Sequence, residues 1–421
     1  MAISYDKLLE IMTTNEITDA DLMRRANLAA GTISRIRKGQ PIPMSSIERI
    51  CRAMYCSPDD ILAFVPDGEE TRRRILPRNM PILMDRLRNH YACARTRRAH
   101  PAAPKVSIIL PVYNVSRYLA ACVKSVLVQT MTEIEIICIN DGSTDGSADI
   151  LRRFAEQDSR IILLHQANRG YGASVNRGLD IARGEYVSIV ETDDFIEPQM
   201  MQALYDVACA QGKPDIVKSS YHLYYDDTDE AECRKRPPIA IHCNPPEPVF
   251  SIRTYPELIY HHPSIWSCLY RRGFLEAHAI RFVEAKGAGW VDNPFFLQTM
   301  WQAERIAWTP DAYYNYRQTN PGASSFVKDC RIPFQRLSEM IRFADHHRID
   351  HPDVLGSLYK RMLWNLAMVV SNPHYQPERD DPLILPVLRR LDVTFLANKR
   401  VTNNERTVCR AYCESHGLPI P

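Results

Sequence analysis

No stretch of this 421-residue chain approaches the roughly 20 consecutive apolar residues that a membrane-spanning helix needs. The opening segment, MAISYDKLLEIM, is acidic and amphipathic, without the basic-then-apolar order of a secretory leader. A cytoplasmic protein is therefore expected. Peripheral contact at the inner face of a membrane stays open, because it needs no spanning helix. Net charge is nearly absent as well: 52 Lys and Arg against 50 Asp and Glu leave +2. The chain as a whole is thus not an electrostatic binder of nucleic acid, and any basic function has to be local. No two of the 12 cysteines stand as CxxC, Cys409 and Cys413 coming nearest. That argues against a zinc site or a disulfide framework. Reduced thiols buried in apolar runs, such as Cys122 and Cys138, fit better.

What is present falls into successive textures. Residues 1–66 read as short helices with tight turns. Residues 67–104 carry Arg72, Arg73, Arg74, Arg78, Arg86, Arg88, Arg95, Arg97 and Arg98 with few acids, and four prolines. They read as a solvated helical linker rather than a phosphate- or membrane-facing patch. Residues 105–330 alternate short apolar runs with helical stretches, and 331–421 read as helices, with apolar spacing at 337–343 and 358–370. Acceptor binding and packing against the preceding domain are both open for that last region.

The apolar runs are 106–110, 134–139, 161–165 and 186–190, each rich in β-branched residues and each followed by a turn. Helical patterns fill 118–128, 148–157 and 173–182. Buried parallel strands look like this because helices cover both faces of the sheet. The expected fold is α/β with a doubly wound sheet, and ligands of such sheets bind beyond the carboxyl ends of the strands. All four ends are polar or glycine-rich. The first carries Pro111, Tyr113 and Asn114; the second Asp141 within Asn-Asp-Gly-Ser-Thr-Asp-Gly-Ser; the third Arg169, Gly170 and Gly172; the fourth Glu191, Thr192, Asp193 and Asp194. An aromatic can stack on a base, a carboxylate can accept its N–H, and glycines let backbone approach a ligand. Each cluster alone reads as a turn and helix cap. Their ordered placement at successive strand ends points to a nucleotide-sugar cleft.

The text VSIILPVYNVSRYLAACVKSVLVQT, IEIICINDGSTDGSADIL and NRGYGASVNRGLDIARGEYVSIVETDDFIEP resembles the family 2 glycosyltransferases, which have the GT-A fold. The close match runs over 105–206, with weaker matches to about residue 326. The resemblance implies that Pro111 and Tyr113 line the base pocket and that Asp141 contacts the base, usually uracil. It makes Asn114, Arg169 and Gly170 part of the donor site. Asp193 would bind the Mn²⁺ or Mg²⁺ that bridges the donor phosphates, with Asp194 and Glu191 assisting. Glu191 stands where the family usually has Asp. Hard cations of this kind prefer carboxylate and phosphate oxygens.

The acceptor hydroxyl must lose a proton, and the candidate base is Asp292 in GWVDNPFF, with Glu284 as the fallback. The bland alternative is that Asp292 only caps the following helix. One base and no nucleophile imply single displacement with inversion. Arg317, closing Tyr-Tyr-Asn-Tyr-Arg ahead of Ser324 and Ser325, is a candidate to approach the diphosphate, or part of a surface strand. His261 and His262 read as ordinary residues rather than metal ligands. Trp266, Trp290 and Trp301 read as sugar-stacking or core residues. The expected partners are a nucleotide-sugar donor and a glycan or lipid-linked acceptor, so the reading is a hexosyltransferase-type enzyme of polysaccharide synthesis. A nucleotidyltransferase would want a Gly-rich basic loop after the first strand, which PVYNVSRYL lacks.

In the front segment, a helix from Ile17 to Ala26 capped by Thr18, a turn at Asn27 and a second helix stopped by Gly39 resemble the helix-turn-helix of Cro/C1-type repressors. Further helices are expected at 47–54 and 57–62. The resemblance implies that Thr32, Ser34, Arg35 and Lys38 face a DNA major groove, within a DNA-contacting stretch at 18–38. The alternatives are that this domain dimerises the enzyme or docks a partner. A second reading of the whole chain is a DNA-binding regulator whose transferase domain senses a nucleotide sugar.

Overall fold

The computed structural model describes residues 2–14, 17–54, 61–65, 103–226, 245–287, 289–322 and 329–418. They belong to two compact units, Met1–Arg98 and Ala99–Pro421. Nearly all of the Arg-rich linker, positions 57–60 of the fourth expected front helix, and Ser324 and Ser325 lie outside the described residues.

The first unit runs β1 (Ala2–Ser4), α1 (Asp6–Thr14), α2 (Asp19–Ala26), α3 (Ala30–Arg37), α4 (Met44–Met54) and β2 (Ala63–Val65), with β1 and β2 antiparallel. Thr18 opens α2 through a reciprocal cap. Its hydroxyl oxygen accepts from the Asp21 N–H at 3.1 Å, while the Asp21 carboxylate accepts from the Thr18 N–H at 3.1 Å. Leu22, Ile33, Ile36, Ile47 and Ile50 close the core. The opposite face of α3 stays in solvent: Ser34, Arg35 and Lys38 are exposed and Thr32 is half-buried.

The second unit begins β3 (Val106–Val112), α5 (Ser116–Leu127), β4 (Ile134–Asn140), α6 (Ser147–Gln157), β5 (Ile161–His165), α7 (Tyr171–Ile181) and β6 (Tyr186–Ile189). Every residue of β3, β4 and β6 is buried, as strands covered on both faces must be. With β5 they form four parallel strands, Ile109 lying opposite both Ile137 and Ile189. Gly178 lets α7 lie against β3, since a Cβ there would sit 2.7 Å from the Ile109 side chain.

Beyond β6 the sheet changes character. The chain continues through β7 (Phe195–Ile196), α8 (Met200–Ala210), β8 (Ile216–Tyr224), β9 (Val249–Phe250), β10 (Cys268–Arg271), α9 (Arg272–Ala277), α10 (Asp292–Gln302) and β11 (Ile306–Arg317). The strand order is β5-β4-β3-β6-β10-β8-β11-β7, with β9 on β11. Because β10 is antiparallel to both β6 and β8, the sheet is mixed, a GT-A-like arrangement whose second half the apolar runs did not announce. Four helices complete the unit: α11 (Ile332–His346), α12 (Pro352–Val370), α13 (Pro377–Leu388) and α14 (Asn403–Ser415). Phe334, Leu337, Leu363, Leu366 and Cys409 belong to the same core as the sheet, so the C-terminal helices pack onto it. No helix among the described residues is long and apolar enough to cross a membrane.

A fully buried lysine fixes the loop entering β10. The Lys218 ammonium donates to the Ser264 carbonyl at 2.8 Å, the Ser264 hydroxyl at 2.7 Å and the Pro263 carbonyl at 3.1 Å. Lys218→Met keeps the volume but strips buried acceptors of their donor, at roughly 1–3 kcal/mol each. The expected result is a loss of about 2 kcal/mol or more, read as a lower urea midpoint. An unchanged midpoint would mean that the cost of burying the ammonium already cancels its bonds.

Candidate active site

The first two strand ends are laced together by short side chains. Asn114 sits in the left-handed region at φ 48°. Its Oδ1 accepts from the Thr144 N–H at 2.7 Å, and its own N–H donates to Ser143 Oγ at 3.1 Å. Asp145 holds the first turns of two helices at once, accepting from the N–H of Ser116 and of Ser147, each at 2.9 Å. The Ser-Thr-Asp part of this loop is therefore helix capping and loop closure. Above it, Pro111 is buried and the Tyr113 ring is 50% exposed at the rim.

Asp141 is nearly fully buried and anchors the third strand end. Oδ1 accepts from Gln166 Nε2 at 2.7 Å and from the Arg169 N–H at 2.9 Å, while Oδ2 accepts from the Gly170 N–H at 2.8 Å. These bonds use three of about four lone-pair sites on the carboxylate, leaving capacity for one further donor. Gly170 has φ 94°, and a Cβ there would fall 2.0 Å from the Ala285 carbonyl oxygen. No other residue fits this crossing, where the loop leading to Asp292 passes over the start of α7. The exposed Arg169 guanidinium pairs with Glu284 at 2.8 Å, so the fallback base is engaged in a surface ion pair.

The acidic cluster divides by side-chain direction. Glu191 accepts from the Tyr171 hydroxyl at 2.5 Å. Its carboxyl is pushed up to about 8, chiefly by burial; the Tyr171 bond opposes this, and repulsion from Asp193 and Asp292 adds to it. Asp194 is buried and accepts from the Tyr314 hydroxyl and the Arg317 N–H, both at 2.7 Å. Burial raises its carboxyl well above the usual range. Asp193 is half-buried, as is Glu191, but it has no tyrosine on its carboxylate. Its Oδ2 accepts from Asn320 Nδ2 at 2.8 Å, and its backbone carbonyl accepts from Arg317 Nε at 2.6 Å. Arg317 itself is buried, paired with Asp226 and packed against the rings of Tyr118 and Tyr224. It braces the acidic turn from below.

Among the described residues no group of three or more His, Cys, Asp or Glu side chains is arranged to hold a metal ion. The sequence-level set of Glu191, Asp193 and Asp194 is thus not a three-ligand cage, because Tyr171, Tyr314 and the Arg317 N–H draw two of its carboxyls inward. One half-buried carboxylate still fits a hard divalent cation, which commonly takes one or two carboxylates and completes its shell with substrate phosphates and water. His262 keeps an exposed edge but packs beside Trp266 and Tyr316, and desolvation of its ring pushes it down to about 4.

Asp292 reaches this centre from the other half of the sheet. It is the first residue of α10, whose cap position is Val291 and carries no side-chain cap bond, and its Oδ1 accepts from Asn293 Nδ2 at 3.2 Å. Burial raises its carboxyl, and the Arg361 guanidinium is the main opposing influence. Asp292 also acts electrostatically on Glu191 and on Tyr171, which puts it within the same charged neighbourhood as the fourth strand end. Arg361, on α12, donates to Asn293 Oδ1 at 2.8 Å, and burial brings it down to about 10. The sequence reading had no signal for Arg361. Tyr171 and Tyr314 lay within motifs already singled out, but their hydroxyl partners are set by the fold.

Comparison with known proteins follows the same division of the chain. Residues 107–278 match the family described as Glycosyl transferase family 2, and residues 7–67 match Cro/C1-type HTH DNA-binding domain. The uncharacterized glycosyltransferase YibD of Escherichia coli (strain K12) is 31% identical over 323 residues, covering 73% of this chain and 90% of YibD. The uncharacterized glycosyltransferase EpsJ of Bacillus subtilis (strain 168) is 34% identical over 235 residues, covering 52% of this chain. The chain spans 62% of the length of EpsJ and 61% of the putative glycosyltransferase EpsH. Among solved structures, S. aureus TarS 1–349 in complex with UDP superposes with a TM-score of 0.56 at 18% identity, covering 74% of this chain and 92% of TarS 1–349. That likeness is one of fold.

Proposed function

This chain belongs to glycosyltransferase family 2, and from that premise we propose that it transfers a sugar from a UDP-sugar to a glycan or lipid-linked acceptor with inversion, in polysaccharide synthesis. The observation that carries the proposal is the meeting of Asp292 with the polar ends of the parallel strands in one charged centre. Tyr113 and Pro111 line the base, and Asp141 uses its remaining acceptor capacity on a base N–H. Arg169 and Gly170 border the donor. Asp193 would hold Mn²⁺ or Mg²⁺ on the donor phosphates, and the ion, when bound, supplies neutralisation of the charge on the leaving diphosphate. Arg317 positions Asp193 through its carbonyl.

Asp292 takes the proton of the acceptor hydroxyl. The oxygen attacks the anomeric carbon from the face opposite the diphosphate, and the bond to the phosphate oxygen breaks with its electron pair leaving on the nucleoside diphosphate. A hydrolysis screen across UDP-, GDP- and dTDP-sugars with Mn²⁺ tests the donor. Turnover of a UDP-sugar that stops on adding EDTA is the expected result, and turnover restricted to GDP- or dTDP-sugars would overturn the base assignment.

The proposed organisation is a DNA-contacting front domain over 1–66, a linker over 67–104, the catalytic domain over 105–330 and supporting helices over 331–421. Exposure of Ser34, Arg35 and Lys38 along one face of α3 and its end favours DNA as a second partner. Operator-type contacts of this kind are worth roughly 1–3 kcal/mol each. Arg35→Ala with Lys38→Ala is therefore expected to weaken binding to the DNA upstream of its own coding sequence by at least about tenfold at fixed salt. Equal binding by the double variant would remove α3 as the reading helix and favour a dimerising or docking role. A protein that bound this DNA in response to UDP-sugar but never turned it over would be the regulator of the second reading.

A further inference from the structure

Beside Asp292 lies a pair of indoles that the transfer chemistry leaves unused. Trp290 precedes the base by two residues, and its ring stacks on that of Trp364 with centroids 5.8 Å apart and planes 24° from parallel. Trp364 is 50% exposed, although its neighbours Met362, Leu363, Asn365 and Leu366 are buried in the core. It follows Arg361 by one turn of α12, and Arg361 is the residue bonded to Asn293 next to the base. Trp290 is held at φ 57°, a left-handed conformation that bulky residues rarely adopt, at the end of a loop where Gly287 and Gly289 are also at positive φ. Strained backbone of this sort persists where the surroundings impose it and clusters at ligand sites. The loop thus turns an aromatic face toward the one large apolar side chain that α12 leaves in solvent.

We propose that Trp290 and Trp364 form the acceptor platform, and that its occupant is a hexopyranose ring of a glycan whose hydroxyl reaches Asp292. The inference rests on the transferase reading and narrows it, because it makes the acceptor a carbohydrate presented by the C-terminal helices. The chemistry fits: a pyranose has a face of C–H groups that lies flat on an indole, with hydroxyls at the rim free to hydrogen-bond. Arg361 then serves both parts of the site. It fixes Asn293 beside the base and sets the turn of α12 that carries Trp364.

The test is ligand-observed NMR titration of the full chain, with UDP present, by methyl glycosides of β-glucose, β-galactose, N-acetyl-β-glucosamine and α-mannose. At least one is expected to bind, to bind about tenfold more weakly to Trp364→Ala, and to recover in Trp364→Tyr. UDP affinity should be unchanged in all three proteins. Asp292→Asn should bind the same glycoside normally while losing transfer, which separates failure of the platform from failure of the base. Equal binding by Trp364→Ala and the unaltered protein would overturn the proposal, as would binding of none of the four sugars. A Trp364→Ala protein altered only in its elution volume would also overturn it, and would make the indoles a contact between copies.

Discussion

Asp292→Asn is expected to lower transfer by about 10²–10⁴-fold while leaving donor affinity unchanged. The substitution keeps the shape of the side chain and its place at the start of α10, but removes the ability to take a proton from the acceptor hydroxyl. The pH profile gives an independent check. Burial raises the Asp292 carboxyl, and Arg361 is the largest influence against that rise. The protonated acid cannot serve as base, so kcat/KM should fall as pH drops through a limb lying above the ordinary carboxylate value of 3.8. Arg361→Met withdraws the opposing positive charge, so the limb should move to higher pH, and Arg361→Lys should return it part of the way. A residue that merely supported the fold would lower activity at every pH without moving the limb. Wild-type turnover in Asp292→Asn would end the assignment, and Glu284, exposed and paired with Arg169, would be next to examine.

How far this site could be read from sequence depended on which half of the sheet held the residue. β3, β4 and β6 are buried on both faces and, apart from Ser107, Glu135, Asn140 and Ser188, their residues are apolar, so they appeared as apolar runs. β8 reads Ile-Val-Lys-Ser-Ser-Tyr-His-Leu-Tyr, and its Lys218, Ser219 and Ser220 are buried too. Their polar atoms find partners inside the protein, which hides a central strand behind a surface-like composition. β10 is only four residues long. The strand-end rule located the acidic cluster, yet could not say which way its carboxyls point. That is decided by Tyr314 and Arg317 on β11, 120 and 123 residues beyond Asp194. Arg361 was invisible for the same reason: it reaches Asn293 across 68 residues, from a helix whose apolar spacing left its role open.

Asp193→Ala is expected to reduce transfer by about 10²–10³-fold and to raise the Mn²⁺ concentration needed for half-maximal rate. The asymmetry of the cluster is the reason. Tyr171 holds Glu191, and Tyr314 with the Arg317 N–H holds Asp194, whereas the half-buried Asp193 is held through one oxygen by Asn320 and keeps the other for the donor phosphates. Its neighbour supplies the contrast. Asp194→Asn keeps an acceptor for one of its two donors but weakens the tie to β11. That change should appear first as lower stability, with the Mn²⁺ requirement little altered. If Asp194→Asn instead shifted the Mn²⁺ requirement while Asp193→Ala left it alone, the roles of the two would be exchanged. That outcome would require the acidic turn to rotate on donor binding, breaking the Tyr314 and Arg317 contacts. The Arg317 side chain argues against such a rotation, because its Nε also holds the Asp193 carbonyl at 2.6 Å while its guanidinium is fixed by Asp226. A turn gripped at both its carbonyl and its second carboxylate has little freedom to present anything but Asp193.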